Sequence, residues 1–162
     1  MPFVYGVDGA PATPYATHAT PNTEDPTLVI RQGGTTSRGF DLQSVLVHGR
    51  GASLTALTGI GYRIRRWTTV GTGGTGVTPA PRRIGTTAST TAADKVSAIT
   101  AGTVSGAYQL GVGCGAAGPG GWVAPNMDST ITVEGGSADE LDINSVCGVA
   151  SMLHHVSAEI IE

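Results

Sequence analysis

The chain reads as an all-β protein, an antiparallel β-sandwich of jelly-roll type with about eight strands and an extended N-terminal arm. Three observations lead to that class. The 162 residues include 25 glycines, abundant Thr, Ser and Ala, and only 13% charged side chains; glycine supplies turns and threonine fits a pleated surface better than a helix. Short apolar runs, several alternating at period two, recur between turn signals. The loop Gly71-Thr72-Gly73-Gly74-Thr75-Gly76 then follows an alternating strand and runs into Val77-Thr78-Pro79-Ala80-Pro81-Arg82-Arg83, a proline-marked second strand. This arrangement predicts a hairpin. The glycines at 71, 73 and 76 have the spacing of a dinucleotide-binding loop, but that motif needs a helix directly behind it. Pro79 and Pro81 favour extended backbone and remove two amide donors, which predicts an edge strand or a strand entrance.

A chain of this length suits one domain and needs no metal or disulfide to complete a core. Residues 1–27, with prolines at 2, 11, 14, 21 and 26, form the arm; it carries too few bulky apolar residues to order alone and must lie on its own barrel or on a neighbouring subunit. The sandwich is expected over 28–162. Its strands begin with Leu28-Val29-Ile30, Val45-Leu46-Val47 and the run Leu54 to Leu57. The clearest is Ile60 to Trp67, which sets Ile60, Tyr62 and Ile64 on one face and Arg63, Arg65 and Trp67 on the other. Asp94 to Ile99 fits a strand or a short helix. Gly102 to Gly121 reads as a glycine-rich loop anchored by Tyr108, Leu110 and Val112. Thr130-Ile131-Thr132-Val133-Glu134, a Gly135-Gly136 turn and Leu141-Asp142-Ile143 suggest a hairpin or meander. The run Ser151 to Glu162 fits a strand with Met152, His154, Val156, Ala158 and Ile160 on one face, or a helix grouping Leu153, Val156 and Ile160; the company of other strands favours the strand.

Charge and motifs narrow the function classes. A net charge of −3, with a single lysine, Lys95, argues against nucleic-acid binding, which needs clustered cations. Five of the eight arginines nonetheless gather at 63, 65, 66, 82 and 83, a local patch read as a solvated strand face or as ion pairs to a neighbouring subunit. Cys114 and Cys147 lack metal or redox spacing and are expected as buried thiols. The N-terminus has no secretion-signal pattern and no stretch approaches a membrane span, so synthesis in the cytoplasm and no membrane partner are expected. No P-loop and no nucleophile elbow occur. His18, His48, His154 and His155 give no metal spacing, and adjacent strand residues such as His154 and His155 face opposite ways. Asp139-Glu140-Leu141-Asp142 is an acidic cluster read as a solvated turn before a calcium site. No catalytic residue, cofactor or metal is expected, and the chain reads as a non-enzyme. Trp122, after two glycines, is a core or interface residue before it is a sugar-stacking platform.

In order, Tyr62-Arg63-Ile64-Arg65-Arg66-Trp67, Gly74-Thr75-Gly76-Val77-Thr78-Pro79, Gly120-Gly121-Trp122-Val123-Ala124-Pro125-Asn126 and the terminal Ser157-Ala158-Glu159-Ile160-Ile161-Glu162 resemble small virion structural proteins of tailed bacteriophages. The resemblance spans about residues 40–162. It implies pairing of the arginine-bearing strand with the Thr-Pro strand. It also implies a β-sandwich that decorates or cements the outer head shell, bound to the major capsid protein, as a homo-oligomer, often a trimer. The expected contacts are Phe3, Val4, Tyr5 and Tyr15 on the arm, Arg63, Arg65 and Trp67 on the strand face, and Trp122. The rival reading is a carbohydrate-binding or host-adhesion module using Trp122; a tail or head-closure component is a near neighbour of the first.

Overall fold

The computed structural model describes residues 2–8, 16–18, 24–32, 38–50, 60–69, 71–85, 87–89, 91–95, 99–100, 102–114, 119–135, 139–148 and 152–162. They form β1 (Val4–Asp8), β2 (Ala16–His18), β3 (Glu24–Gln32), β4 (Phe40–Arg50), β5 (Ile60–Trp67), β6 (Thr75–Val77), β7 (Ala80–Pro81), β8 (Thr91–Lys95), β9 (Val104–Cys114), β10 (Pro119–Val123), β11 (Ile131–Val133), β12 (Glu140–Cys147) and β13 (Met152–Ile161). The one helical element described is a 3-10 turn at Met127–Ser129. The all-β expectation holds, and the strands divide between two antiparallel sheets. The first runs β10-β4-β13-β1-β7, with β11 also on β4 and β2 also on β13; the second runs β6-β8-β3-β12-β5-β9.

The core lies between the sheets because alternate residues of each strand are apolar. The first sheet supplies Tyr5, Val7, Phe40, Leu42, Val45, Val47, Val156, Ala158 and Ile160, and the second supplies Leu28, Ile30, Ile60, Tyr62, Ile64, Leu141, Ile143 and Cys147, all in one buried cluster. On β13 the buried positions His154, Val156, Ala158 and Ile160 follow the period-two reading of the C-terminal run, with His155 on the other face. Register in this sheet is tight: β13 pairs with β1 from Val4↔Ile161 to Asp8↔Ser157. Phe3 N donates to Glu162 O at 2.9 Å and Glu162 N to Phe3 O at 3.0 Å, closing the ladder at its end.

Within the segment read as an arm, β1 is a paired strand of the first sheet, flanked by β13 and β7, with Tyr5 and Val7 in the core. Phe3-Val4-Tyr5 carries the bulk that the rest of residues 1–27 lacks, and it is these residues that dock. Strand β3 already begins at Glu24, and Thr27 is buried.

Three local expectations are overturned. Strand β5 does not pair with the proline-marked segment; it is flanked by β12 and β9. Residues 75–81 instead cross from one sheet to the other: β6 pairs with β8 at the edge of the second sheet, and β7 pairs with β1 at the edge of the first, Tyr5 facing Pro81. The prolines still mark edges, since a residue without an amide hydrogen cannot serve a central ladder. Likewise β11 pairs with β4 while β12 lies in the other sheet, so Gly135 opens a crossing and no hairpin forms. Finally, Val104–Cys114 is a strand of 11 residues, not a loop, laid along β5 with Leu110 opposite Ile64 and Val112 opposite Tyr62. Its glycines cost strand propensity that a long partner strand recovers. The ambiguous Asp94 to Ile99 begins in strand, through Lys95 of β8. The run Leu54 to Leu57 lies outside the described residues.

Candidate functional site

Two surfaces gather the side chains that composition singles out. One is the outer face of the second sheet, where β5 and β12 run antiparallel with Trp67 opposite Glu140, Arg65 opposite Asp142 and Arg63 opposite Asn144. Period two therefore places the cationic track of β5 against the acidic track of β12. The two faces of β5 follow the sequence reading, but the second face is not a solvated one. Trp67, Glu140, Asp142 and Asn144 are 0% exposed and Arg65 is 9% exposed. Arg65 Nε and Nη2 donate to Asp142 Oδ2 at 3.2 and 2.8 Å, and its Nη1 meets Glu24 Oε2 at 2.5 Å. Exposed Arg63 also pairs with Glu24, and Arg66 pairs with Asp139. Glu140 accepts from the Gly71 amide at 2.9 Å, with Arg31 3.8 Å away. The acidic cluster thus serves arginines and a backbone amide in place of the expected solvated turn. Burial pushes the Asp142 carboxyl up to about 6, against the hydrogen bonds and charge of Arg65 that pull it down.

The other surface is the outer face of the first sheet. Here Ser44, Leu46 and His48 of β4 lie beside Glu159, Ser157 and His155 of β13, residue opposite residue. Arg82 Nη2 meets Glu159 Oε1 at 2.7 Å, Ser44 Oγ donates to Glu159 Oε2 at 3.2 Å, and His155 Nε2 lies 2.7 Å from Asp8 Oδ1. Arg82, Glu159 and Asp8 thereby each have a partner within the chain. Two grooves, of about 310 and 370 Å³, share His155 and Ser157; the first is walled by Asp8 and Arg82, the second by Leu46, His48 and Gly120. Leu46 is 54% and Val123 61% exposed, on the neighbouring strands β4 and β10; elsewhere Met127 and Ile84 are exposed. Leu46 leans across Gly121, where a Cβ would stand 3.0 Å from its Cδ2. Glycine at 121 is what lets the leucine lie flat. Among the described residues no group of three His, Cys, Asp or Glu is arranged to hold a metal ion, and no helix is long and apolar enough to cross a membrane.

The expected contact residues scatter. Tyr5 and Trp67 are 2% and 0% exposed, and with Arg65 they are buried inside the chain, so they offer no surface to a partner. Tyr5 donates to Thr87 O at 2.9 Å, and burial raises its hydroxyl above the usual tyrosine range. Phe3 and Trp122 are partly buried and pack against the core cluster, which takes the Trp122 ring away from flat sugar stacking. Val4 is half-buried, Arg63 is exposed but paired with Glu24, and Tyr15 lies outside the described residues. Cys147 is a buried thiol, while the Cys114 side chain is not among those described. Leu46, Val123 and Met127 were not singled out in the sequence. The available signal was Leu46 itself, the wrong-phase member of Val45-Leu46-Val47, which must face outward when its neighbours face the core.

No family model matches the chain, no curated protein matches it, and no solved structure matches it. Among the described residues, fold and surface define an all-β, two-sheet chain with an apolar strip, Leu46 and Val123, on its outer face.

Proposed function

We propose that this chain is a virion structural protein of the tailed-bacteriophage kind, a decoration or cement protein that sits on the outer head shell and ties neighbouring capsomers together. The observation that carries the reading is the exposed strip Leu46 and Val123 on neighbouring strands, on a face where Arg82, Glu159 and Asp8 already have partners within the chain. Exposed apolar side chains ringed by satisfied polar groups are the anatomy of a protein contact, with a dry centre and a polar rim. The sequence resemblance supplies the partner, the major capsid protein, and the assembly, a closed homotrimer. Many copies, each holding weakly, would bind tightly by valency.

The structure changes which residues are to be tested. Strand β1 pairs within its own sheet, so deleting the N-terminal segment would damage the fold along with any contact. The double substitution Leu46→Asp and Val123→Asp leaves the core untouched and puts charge into the strip. Added to purified heads lacking the protein, the wild type should saturate the shell and the double variant should bind at least tenfold more weakly with an unchanged melting temperature. Equal occupancy by both would remove this strip from the interface. Sedimentation of the purified chain as a monomer, on and off the head, would remove the trimer.

A further inference from the structure

The fully buried end of the charge ladder holds two oxygen atoms with nothing to bind. Asp142 Oδ1 and Asn144 Oδ1 have no hydrogen-bond partner among the described residues, although both side chains are 0% exposed. Both orphans lie on the same outer face, two residues apart on β12.

An amide flip does not cure this. Asn144 Nδ2 faces Arg63 O and Asp142 Oδ2, each at 3.2 Å, and both are acceptors, so the nitrogen must stand where it stands. Asp142 is similarly one-sided. Its Oδ2 receives Arg65 Nε, Arg65 Nη2 and Asn144 Nδ2, while Oδ1 receives nothing. A carboxylate that concentrates every donor on one oxygen, out of reach of water, leaves half its charge unsolvated.

We propose that a single proton satisfies both orphans: Asp142 is held as the neutral acid, its Oδ1–H donating to Asn144 Oδ1 while Asn144 Nδ2 donates back to Asp142 Oδ2. The proton comes from solvent and forms one O–H bond; the ring closes as an acid–amide pair with a donor and an acceptor on each partner. The surroundings allow it. From β5, Arg65 faces Asp142 directly, but it has a second counter-ion in Glu24; Arg63, also on Glu24, reaches solvent with its side chain 45% exposed. From β3, the residue opposite Asp142 is apolar Val29, and Glu24 adds a negative charge that favours the neutral acid. On β12 itself Glu140 is a further carboxylate, turned to the Gly71 amide and Arg31. The upward displacement of the Asp142 carboxyl, from 3.8 to about 6, agrees with this geometry. The pair is therefore a proton-held clasp between neighbouring positions of a central strand, closed in mild acid and opened as the acid ionises.

The test is a carbon-13 NMR titration of the full chain, with aspartate and asparagine carbonyls labelled and assigned through the backbone. The Asp142 carboxyl should titrate near pH 6, about two units above an ordinary aspartate, and the Asn144 side-chain amide should shift with the same midpoint. A midpoint at or below pH 4 overturns the proposal. A high midpoint with an Asn144 amide that does not follow also overturns it, because burial alone would then account for the acid. The variant Asp142→Asn gives a second readout, since its amide can replace the acid's O–H with N–H. Its melting temperature at pH 5, where the clasp of the wild type is closed, should stay close to that of the wild type; a fall of several degrees there would mean that an ionised Asp142 was holding Arg65. Should that variant fail to fold, the titration of the wild-type chain decides alone.

Discussion

Gly71 is where a single methyl group should cost most for its size. A Cβ built there stands 2.5 Å from Trp67 Cζ3 and 2.7 Å from Thr100 O, and neither can yield easily. Trp67 is fully buried, and Thr100 is bonded to Thr72 on both sides, at 2.7 and 3.0 Å. No positive φ is recorded at Gly71, unlike Gly73, Gly74 and Gly85, so the penalty is one of space and not of backbone conformation. Overpacking of this kind costs about 1–3 kcal/mol. Backing the loop away also stretches the 2.9 Å bond from the Gly71 amide to Glu140, and a hydrogen bond to a charged acceptor is worth about 1.5–3 kcal/mol. Partial loss of each gives Gly71→Ala a destabilisation of about 2–4 kcal/mol, or roughly 5–15 °C in melting temperature for a domain of this size. Urea unfolding followed by circular dichroism measures it. Adding Trp67→Phe should recover part of the loss, because the smaller ring withdraws the clashing atom. A Gly71→Ala chain within about 0.5 kcal/mol of wild type, or a double variant showing simple additivity, would refute the packing of this loop on Trp67.

Leu141→Ala, at a fully buried position of the central strand β12, should cost about 2–5 kcal/mol in the same unfolding assay. Removing residues 1–8 takes Tyr5 and Val7 from the core and uncovers one side of β13, and should abolish the cooperative thermal transition seen by calorimetry. For the pH dependence, the Asp142 carboxyl is raised in the folded chain from 3.8 to about 6, so the fold binds that proton more tightly than the unfolded chain does. Its contribution to stability is complete below pH 3.8 and is lost as pH rises through about 6. At 1.36 kcal/mol per unit this amounts to about 3 kcal/mol. Wild type and Asp142→Asn, unfolded in urea at several values between pH 4 and 7.5, isolate it from other carboxylates. The difference in unfolding free energy, wild type minus variant, should fall with rising pH.

The elements legible in the sequence were those that alternate side chains of two characters between their faces. Strands β5 and β13 announced themselves by alternation, and Pro79 and Pro81 marked edges, because those signals are local. What stayed hidden was pairing. Nothing near Gly71 or Gly135 distinguishes a turn that doubles back from one that crosses to the opposite sheet. That choice depends on which distant strand competes for the same edge, and the segment holding Asp139 and Asp142 wins β5 through matched charges 73 and 77 residues away. The candidate surfaces were misjudged for the same reason. Arg65 and Trp67 look like a solvated face until Glu140, Asp142 and Asn144 are laid beside them, and period two in both segments was the clue that joined them. Strand β9 was missed because its glycines at 106, 111 and 113 break the apolar rhythm on which strand assignment relies.

The ladder that joins Phe3 to Glu162 sets an order on biosynthesis. Strand β1 is made before its partner β13, with every other described strand between them in the chain, so the sheet they share stays unclosed while those strands are synthesised. Until then Tyr5 and Val7 have no home, which makes the nascent chain a natural client for a chaperone and makes folding slow through long-range closure. By the same geometry Phe3 and Glu162 finish side by side. A short peptide joining these two positions, with the chain opened elsewhere, would let β1 and β13 emerge together and should speed refolding without altering the finished sandwich.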